Sequence, residues 1–384
     1  MNGYAERPHY AKWEKYLKPG FEIMLIFFGV RGSGKTWLLR RKERELLESG
    51  VPREKVVYLD LEDPECGIRD EMDFYNRIEE DAGGPEGTYI LLDEPGCVKD
   101  WERTARWFIE NGAVIIAAKS LFDNIDSEYR TRIGALHWRQ VIGPLTLSEF
   151  SDMRGGGDPE TLLEEYYRCP GMAQDGWDQD NILGDIAGRR RVRRPEMLRK
   201  LLETIAANDG CLEDPEELTE AMGGSIDPRT VERYIGLLRE SMLVYRAEER
   251  TLDDRWSRRG FLYVTDRTMV PEGDARMRNI LFWELMNRSG CRVQVGTVEG
   301  VPVALVTGWD RPEYWRYVAF PYAEEWRSAE ELLSIRDNYP KTILTRTDCL
   351  GDDCMGIRVV KLVDWLLDSG RGQGTCISNL AEAV

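Results

Sequence analysis

Histidine is nearly missing: His9 and His137 are the only two in 384 residues, too few for histidine-based nucleophilic catalysis or a histidine-rich metal site. The eight cysteines are scattered, with no CxxC pair. Only Cys349 and Cys354 lie close together, and no histidine stands near them to complete a zinc site. Free thiols in a reducing compartment are therefore expected. No apolar run approaches the roughly 18 residues of a membrane span. The first residues, MNGYAERPHYAKWEKYLKPG, are charged and aromatic and lack the apolar core of a signal peptide. A soluble, cytoplasmic chain with no membrane partner is the expectation. Internal repeats and low-complexity tails are also missing.

What is present is an ordinary globular composition, 42% hydrophobic and 10% aromatic, with a net charge of −17. Such a chain is long enough for two or three domains. Its acidity repels phosphate backbones, so contact with nucleic acid would need a local basic patch.

Apolar stretches at residues 22–28, 56–61, 89–92, 113–118 and 140–142 alternate with helical patterns at 35–47 and 101–109. Strands alternating with helices predict an α/β fold with a parallel sheet covered on both faces. Between the first strand and helix runs Gly29-Val30-Arg31-Gly32-Ser33-Gly34-Lys35-Thr36, which fits G-x-x-x-x-G-K-[ST] at every fixed position. Glycines let the backbone curl its N–H groups around a phosphate, Lys35 reaches the outer phosphates, and the Thr36 hydroxyl ligates Mg²⁺. The helix that opens at Lys35, Thr36 and Trp37 points its positive end at the anion. A P-loop NTPase core binding ATP and Mg²⁺ follows.

At the end of YILLDE, Asp93 is placed to hold the metal and Glu94 to polarise an attacking water, the pattern of a hydrolase rather than a kinase. Ser120, ending the fourth strand, could reach the γ-phosphate or the water, with Lys119 beside it as an alternative.

After the glycine-rich stretch 152–159 the chain turns mostly helical, with helices expected at 161–167, 195–207, 215–222 and from Asp227 to Ser241, then a strand at 243–247. Three helices followed by a β-ribbon is the order of a winged helix. The run RRRVRRPEMLRK, Arg189 to Lys200, holds seven basic residues and one acidic. Together with the Asp227–Ser241 helix it is a candidate DNA-binding surface; the competing explanations are that it packs against this protein's own acidic surface or wraps the nucleotide's phosphates. From about residue 260 a further α/β unit is expected. Boundaries fall at 1–150, 151–255 and 256–384.

The run from Tyr89 to Phe150, with LDE, a tryptophan-bearing helix and Pro144-Leu145-Thr146-Leu147-Ser148-Glu149-Phe150, resembles a group of bacterial and archaeal AAA+-type ATPases. That group has an LDE strand, a TGSS strand, a GR element and a PLSFxEF segment. The resemblance implies an AAA+/RecA-like ATPase core, a helical winged-helix region and a C-terminal domain similar to PD-(D/E)xK nucleases. Three features depart from it. The TGSS strand reads Ala117-Ala118-Lys119-Ser120. Gly134 is followed by alanine, so an arginine finger acting on a neighbouring subunit has only Arg130, Arg132 and Arg139 as substitutes. The nuclease-like part keeps a helix carboxylate, Glu284, but its strands read VALV at 303–306 and VAF at 318–320. Nuclease activity is therefore expected to be absent and Glu284 to be a surface or structural group. The functional expectation is an ATPase driving a conformational change, associated with DNA, a protein partner or a homo-oligomer. A slow ATP-dependent switch or scaffold without nucleic acid is the alternative.

Overall fold

The computed structural model describes residues 17–19, 21, 24–120, 137–173, 177–251, 257, 259–289, 293–307, 316–319, 325–335, 338–346 and 353–368. Five strands, β1 (Met24–Phe28), β2 (Val56–Asp60), β3 (Tyr89–Asp93), β4 (Val114–Lys119) and β5 (His137–Val141), form a sheet in the order β2-β3-β4-β1-β5. Every pairing is parallel. All residues of β1, β3 and β4 are buried, as expected of central strands covered on both faces. Helix α1 (Lys35–Glu48) packs on one face with Phe27, Leu91 and Ile116. On the other, α2 (Glu71–Ala82) and α3 (Trp101–Glu110) close over Ile26, Leu92 and Ile115. Because β4 lies between β1 and β3 in an all-parallel sheet, the carboxyl ends of these three strands lie along one edge.

Helix α2 was not apparent in the apolar pattern, yet its ends are explicit. Asp70 accepts the backbone N–H groups of Met72 and Asp73, and Gly83 closes the helix at φ 65°. The same holds for α4 (Leu147–Arg154), set by a capping box: Thr146 Oγ accepts the Glu149 N–H at 3.1 Å while the Glu149 carboxylate accepts the Thr146 N–H at 2.9 Å.

Helices α5 (Pro159–Arg168), α6 (Gln179–Arg189) and α7 (Pro195–Ala207) follow, then β6 (Cys211–Leu212), α8 (Pro215–Ala221), α9 (Pro228–Glu240), β7 (Val244–Thr251) and β8 (Gly260–Val264). The remainder comprises α10 (Asp274–Ser289), β9 (Val293–Val298), β10 (Val301–Thr307), β11 (Arg316–Ala319), α11 (Glu325–Ser334), β12 (Lys341–Thr345), β13 (Asp353–Cys354), β14 (Ile357–Lys361) and α12 (Leu362–Leu367). Strands β6 to β14 build one nine-stranded mixed sheet, β13-β14-β12-β11-β10-β9-β7-β8-β6. Its continuity crosses residue 255, because β7 pairs in parallel with β9. The helical part and the C-terminal α/β part thus share a sheet, which local strand patterns do not reveal because the pairing is long-range.

The two halves are also joined by one apolar core. Val30 of the glycine loop, Val141, Leu147 and Phe150 pack in the same cluster as Leu201, Ile235, Phe282 and Leu366. The segment between β5 and α4 is gripped at its backbone. The Leu145 carbonyl accepts from the Tyr166 hydroxyl at 2.6 Å and the Arg267 guanidinium at 3.3 Å, and the Pro144 carbonyl accepts from Asn287 at 2.8 Å. Gly143 lies so close to the Trp283 ring that an added Cβ would meet it at 2.7 Å.

Candidate nucleotide site

The loop between β1 and α1 has the shape its glycines permit. Gly32 and Gly34 sit at φ 85° and 94°, and a Cβ on Gly29 would stand 2.3 Å from the Ile142 carbonyl oxygen. Lys35 opens α1, only 4% exposed, and donates to the carbonyls of Gly29 at 2.9 Å and Val30 at 3.1 Å. Burial holds its ammonium below its ordinary pKa, against the pull of Glu94 and Asp93. A cation curled onto its own loop, with acidic groups nearby, is available to an arriving phosphate. Ser33 is fully buried, Thr36 is exposed, and Trp37 is half-buried with the Arg41 guanidinium 5.6 Å from its ring.

Asp93 ends β3, 4% exposed. Burial raises its carboxyl pKa, and hydrogen bonds from the Thr36 and Tyr58 hydroxyls oppose that rise; the Tyr58 bond is 3.0 Å long. Arg40 stacks its guanidinium 3.3 Å from the centre of the Tyr58 ring, which fixes the phenol. Neither Tyr58 nor Arg40 stands out in the sequence, since Tyr58 reads as one residue of a strand and Arg40 as a solvated helix face. The Thr36 hydroxyl and Asp93 carboxylate form a hard-oxygen pair that suits Mg²⁺, which takes one or two protein ligands beside substrate phosphates and water. Among the described residues no cluster of three or more His, Cys, Asp or Glu side chains could hold a metal by itself.

Glu94 is the next residue, held in the left-handed region at φ 47°, a conformation that a non-glycine residue adopts at a cost. Its N–H donates to the Ala118 carbonyl at 2.9 Å. The carboxylate accepts from the Ser120 backbone N–H at 3.0 Å and from the Ser120 hydroxyl. Ser120 is thus brought beside Glu94 at the carboxyl edge of the sheet, and its hydroxyl engages that carboxylate. Lys119 is 2% exposed, its ammonium 5.9 Å from the Trp101 ring centre.

The helical half also reaches this site. The Trp177 indole donates to the Arg31 carbonyl at 2.7 Å, and Ala173 sits where a Cβ on Gly34 would approach to 3.0 Å. Of the candidate arginine fingers, Arg139 lies half-buried on β5, while Arg130 and Arg132 fall outside the described residues.

The basic run is extensively engaged within the chain. Arg189 pairs with Glu62 at 3.0 Å and Asp185 at 3.1 Å, Arg190 with Glu240 at 2.8 Å, and Arg199 with Asp180. Arg194 contacts Glu196 and the Ser225 carbonyl, and Lys200 the Met222 carbonyl. The α9 face carries Arg229 and Arg233 interleaved with Glu232, all exposed. Glu284 is 2% exposed on α10 and paired with Arg288 at 3.0 Å. Burial raises its carboxyl pKa, and Arg288 opposes the rise.

Residues 22–151 match the AAA_14 family, described as an AAA domain. This part of the chain is thus similar to an AAA domain. Residues 179–259 match a domain of unknown function, DUF8612. An uncharacterised protein of Haemophilus influenzae is 25% identical over 383 residues, spanning 90% of this chain and 94% of its own. Solved structures with similarity include a DNA replication initiation factor, at 15% identity and a TM-score of 0.26 over 60% of this chain and 58% of that one, less than two thirds of its length. AMPPCP-bound DnaA from Aquifex aeolicus aligns at 14% identity and a TM-score of 0.27, over 56% of this chain and 81% of that one. No helix among the described residues is long and apolar enough to cross a membrane.

Proposed function

We propose that the chain hydrolyses ATP with Mg²⁺ at Gly29–Thr36 and passes the resulting change to its C-terminal half without reading nucleic acid. The observation that carries this reading is the meeting of Lys35, Thr36, Asp93 and Glu94 at one edge of the β2-β3-β4-β1-β5 sheet. The loop amides and Lys35 bind the phosphates. Mg²⁺ held by Thr36 and Asp93 would neutralise charge on the phosphate oxygens. Tyr58 keeps Asp93 oriented. Glu94 accepts a proton from the attacking water as the new P–O bond forms and the bond to the β-phosphate oxygen breaks. Ser120 holds the Glu94 carboxylate before this step, which supports slow basal turnover and gives weight to the switch reading over a fast motor.

The order α7-β6-α8-α9-β7-β8 supports a winged helix. Its strands are joined to β9 and much of its basic run is internally paired, which favours a packing module over a DNA reader. The α/β part beyond it, with Glu284 buried against Arg288, is read as structural.

Steady-state phosphate release tests the proposal. Lys35→Ala should abolish turnover. Glu94→Gln should lower kcat at least about a hundredfold while ATP binding persists. Full activity in either variant would refute the site, and stimulation of several-fold by duplex DNA would refute the packing assignment.

A further inference from the structure

Four charged side chains join the phosphate loop to the helical half. Arg31, the third residue of the loop, contacts Glu62 at 2.8 Å and Asp185 at 3.6 Å; Arg189 contacts the same two carboxylates at 3.0 and 3.1 Å. Glu62 stands just beyond β2, while Asp185 and Arg189 lie one turn apart on α6. The quartet is electrically neutral, and each member is between one third and just over one half exposed. It borders the anion site: Arg31 and Glu62 both act electrostatically on the Lys35 ammonium, and Trp177, just before α6, is bonded to the Arg31 backbone.

An arriving nucleoside triphosphate brings several negative charges to this edge of the loop. The two guanidiniums are then offered a partner with more charge than a carboxylate, in the fork geometry that suits phosphate oxygens. Because the carboxylate pairs are solvent-screened, they are weak competitors. Arg31 and Arg189 belong to different halves, so a change of partner at this point moves α6 relative to the loop.

We infer that Glu62 and Asp185 form an acidic latch on Arg31 and Arg189, which a nucleoside triphosphate displaces and a diphosphate does not. ATP binding thereby releases α6 from Glu62. The inference rests on the ATP-hydrolase reading above and adds the acidic pair that opposes ATP binding, together with the route to the C-terminal half.

Titration of the full chain with fluorescent ATP and ADP, each with Mg²⁺, tests it. The double variant Glu62→Gln/Asp185→Asn should bind ATP about three- to tenfold more tightly, with ADP affinity within about twofold of the parent. Arg189→Ala should lose about tenfold in ATP affinity and little for ADP. Arg190→Ala, whose side chain pairs with Glu240 instead, controls for loss of charge and should match the parent. The latch is overturned if the double variant binds ATP as the parent does or more weakly, or if Arg189→Ala changes both nucleotides equally. A parent chain that binds neither nucleotide overturns the ATP-hydrolase reading and the latch with it. A parent that binds both, with unresponsive variants, removes the latch alone.

Discussion

Asp209 shows how a single carboxyl can record the docking of two parts of the chain. It accepts the Val264 N–H at 2.7 Å and an Asn279 amide N–H at 2.9 Å, tying the turn before β6 to β8 and α10. Burial pushes its pKa up to about 7, despite those two bonds. An unfolded aspartate titrates near pH 3.9, so between about pH 4 and pH 7 the folded state keeps a proton that the unfolded state has lost. Stability from this group is therefore full at the acid end and falls as pH rises through that window. Asp209→Asn removes the slope whatever its constant offset. Urea melts at pH 5 and pH 7 should show the difference between variant and parent moving in the variant's favour, by up to about 4 kcal/mol over the whole window. Equal differences at both values would show that Asp209 is ionised throughout.

At the scale of elements, the segment from β5 to α4 does more than connect. It is buried from Gln140 to Leu147, and three side chains from the C-terminal half hold its carbonyls. Gly143→Ala tests the closeness of that fit. A Cβ 2.7 Å from the Trp283 ring forces the ring or the backbone to shift, at about 1–3 kcal/mol. A lower denaturation midpoint with an unchanged denaturant slope is the expected result, and an unchanged midpoint would mean that the ring yields freely.

These elements also show what a sequence can carry. Strands β1, β3 and β4 were legible because each is a short apolar run next to a glycine or acidic signal, and the phosphate loop because spacing alone fixes it. Helix α2 was missed although Asp70 and Gly83 mark both ends, since only Phe74, Ile78 and Ala82 of its residues are buried. Helix α6 was missed, and its placement beside the phosphate loop depends on the Arg189–Glu62 and Trp177–Arg31 contacts, 127 and 146 residues apart in the chain. The pairing of Ser120 with Glu94 needed β3 and β4 to be neighbours, a fact of topology and not of local pattern.

For the whole molecule, the shared core decides whether the N-terminal half is autonomous. Val30, Val141, Leu147 and Phe150 are buried against residues of the C-terminal half, so cutting after residue 150 exposes an apolar face immediately behind the phosphate loop. Such a fragment should bind a hydrophobic dye strongly and lack the near-ultraviolet dichroism of the full chain, with helix content partly kept. A fragment that melts cooperatively and binds no dye would show that the five-stranded sheet stands alone.

The same burial of Val30 sets an order in time. A ribosome completes the strands and glycine loop of the N-terminal half early, but Leu366, a member of the same buried cluster as Val30, emerges about 200 residues after Phe150. At about 5–20 residues per second, the cluster that holds Val30 stays incomplete for some ten to forty seconds. During synthesis the N-terminal half thus carries an apolar cluster that is not yet complete, and codons that slow the second half lengthen that exposure.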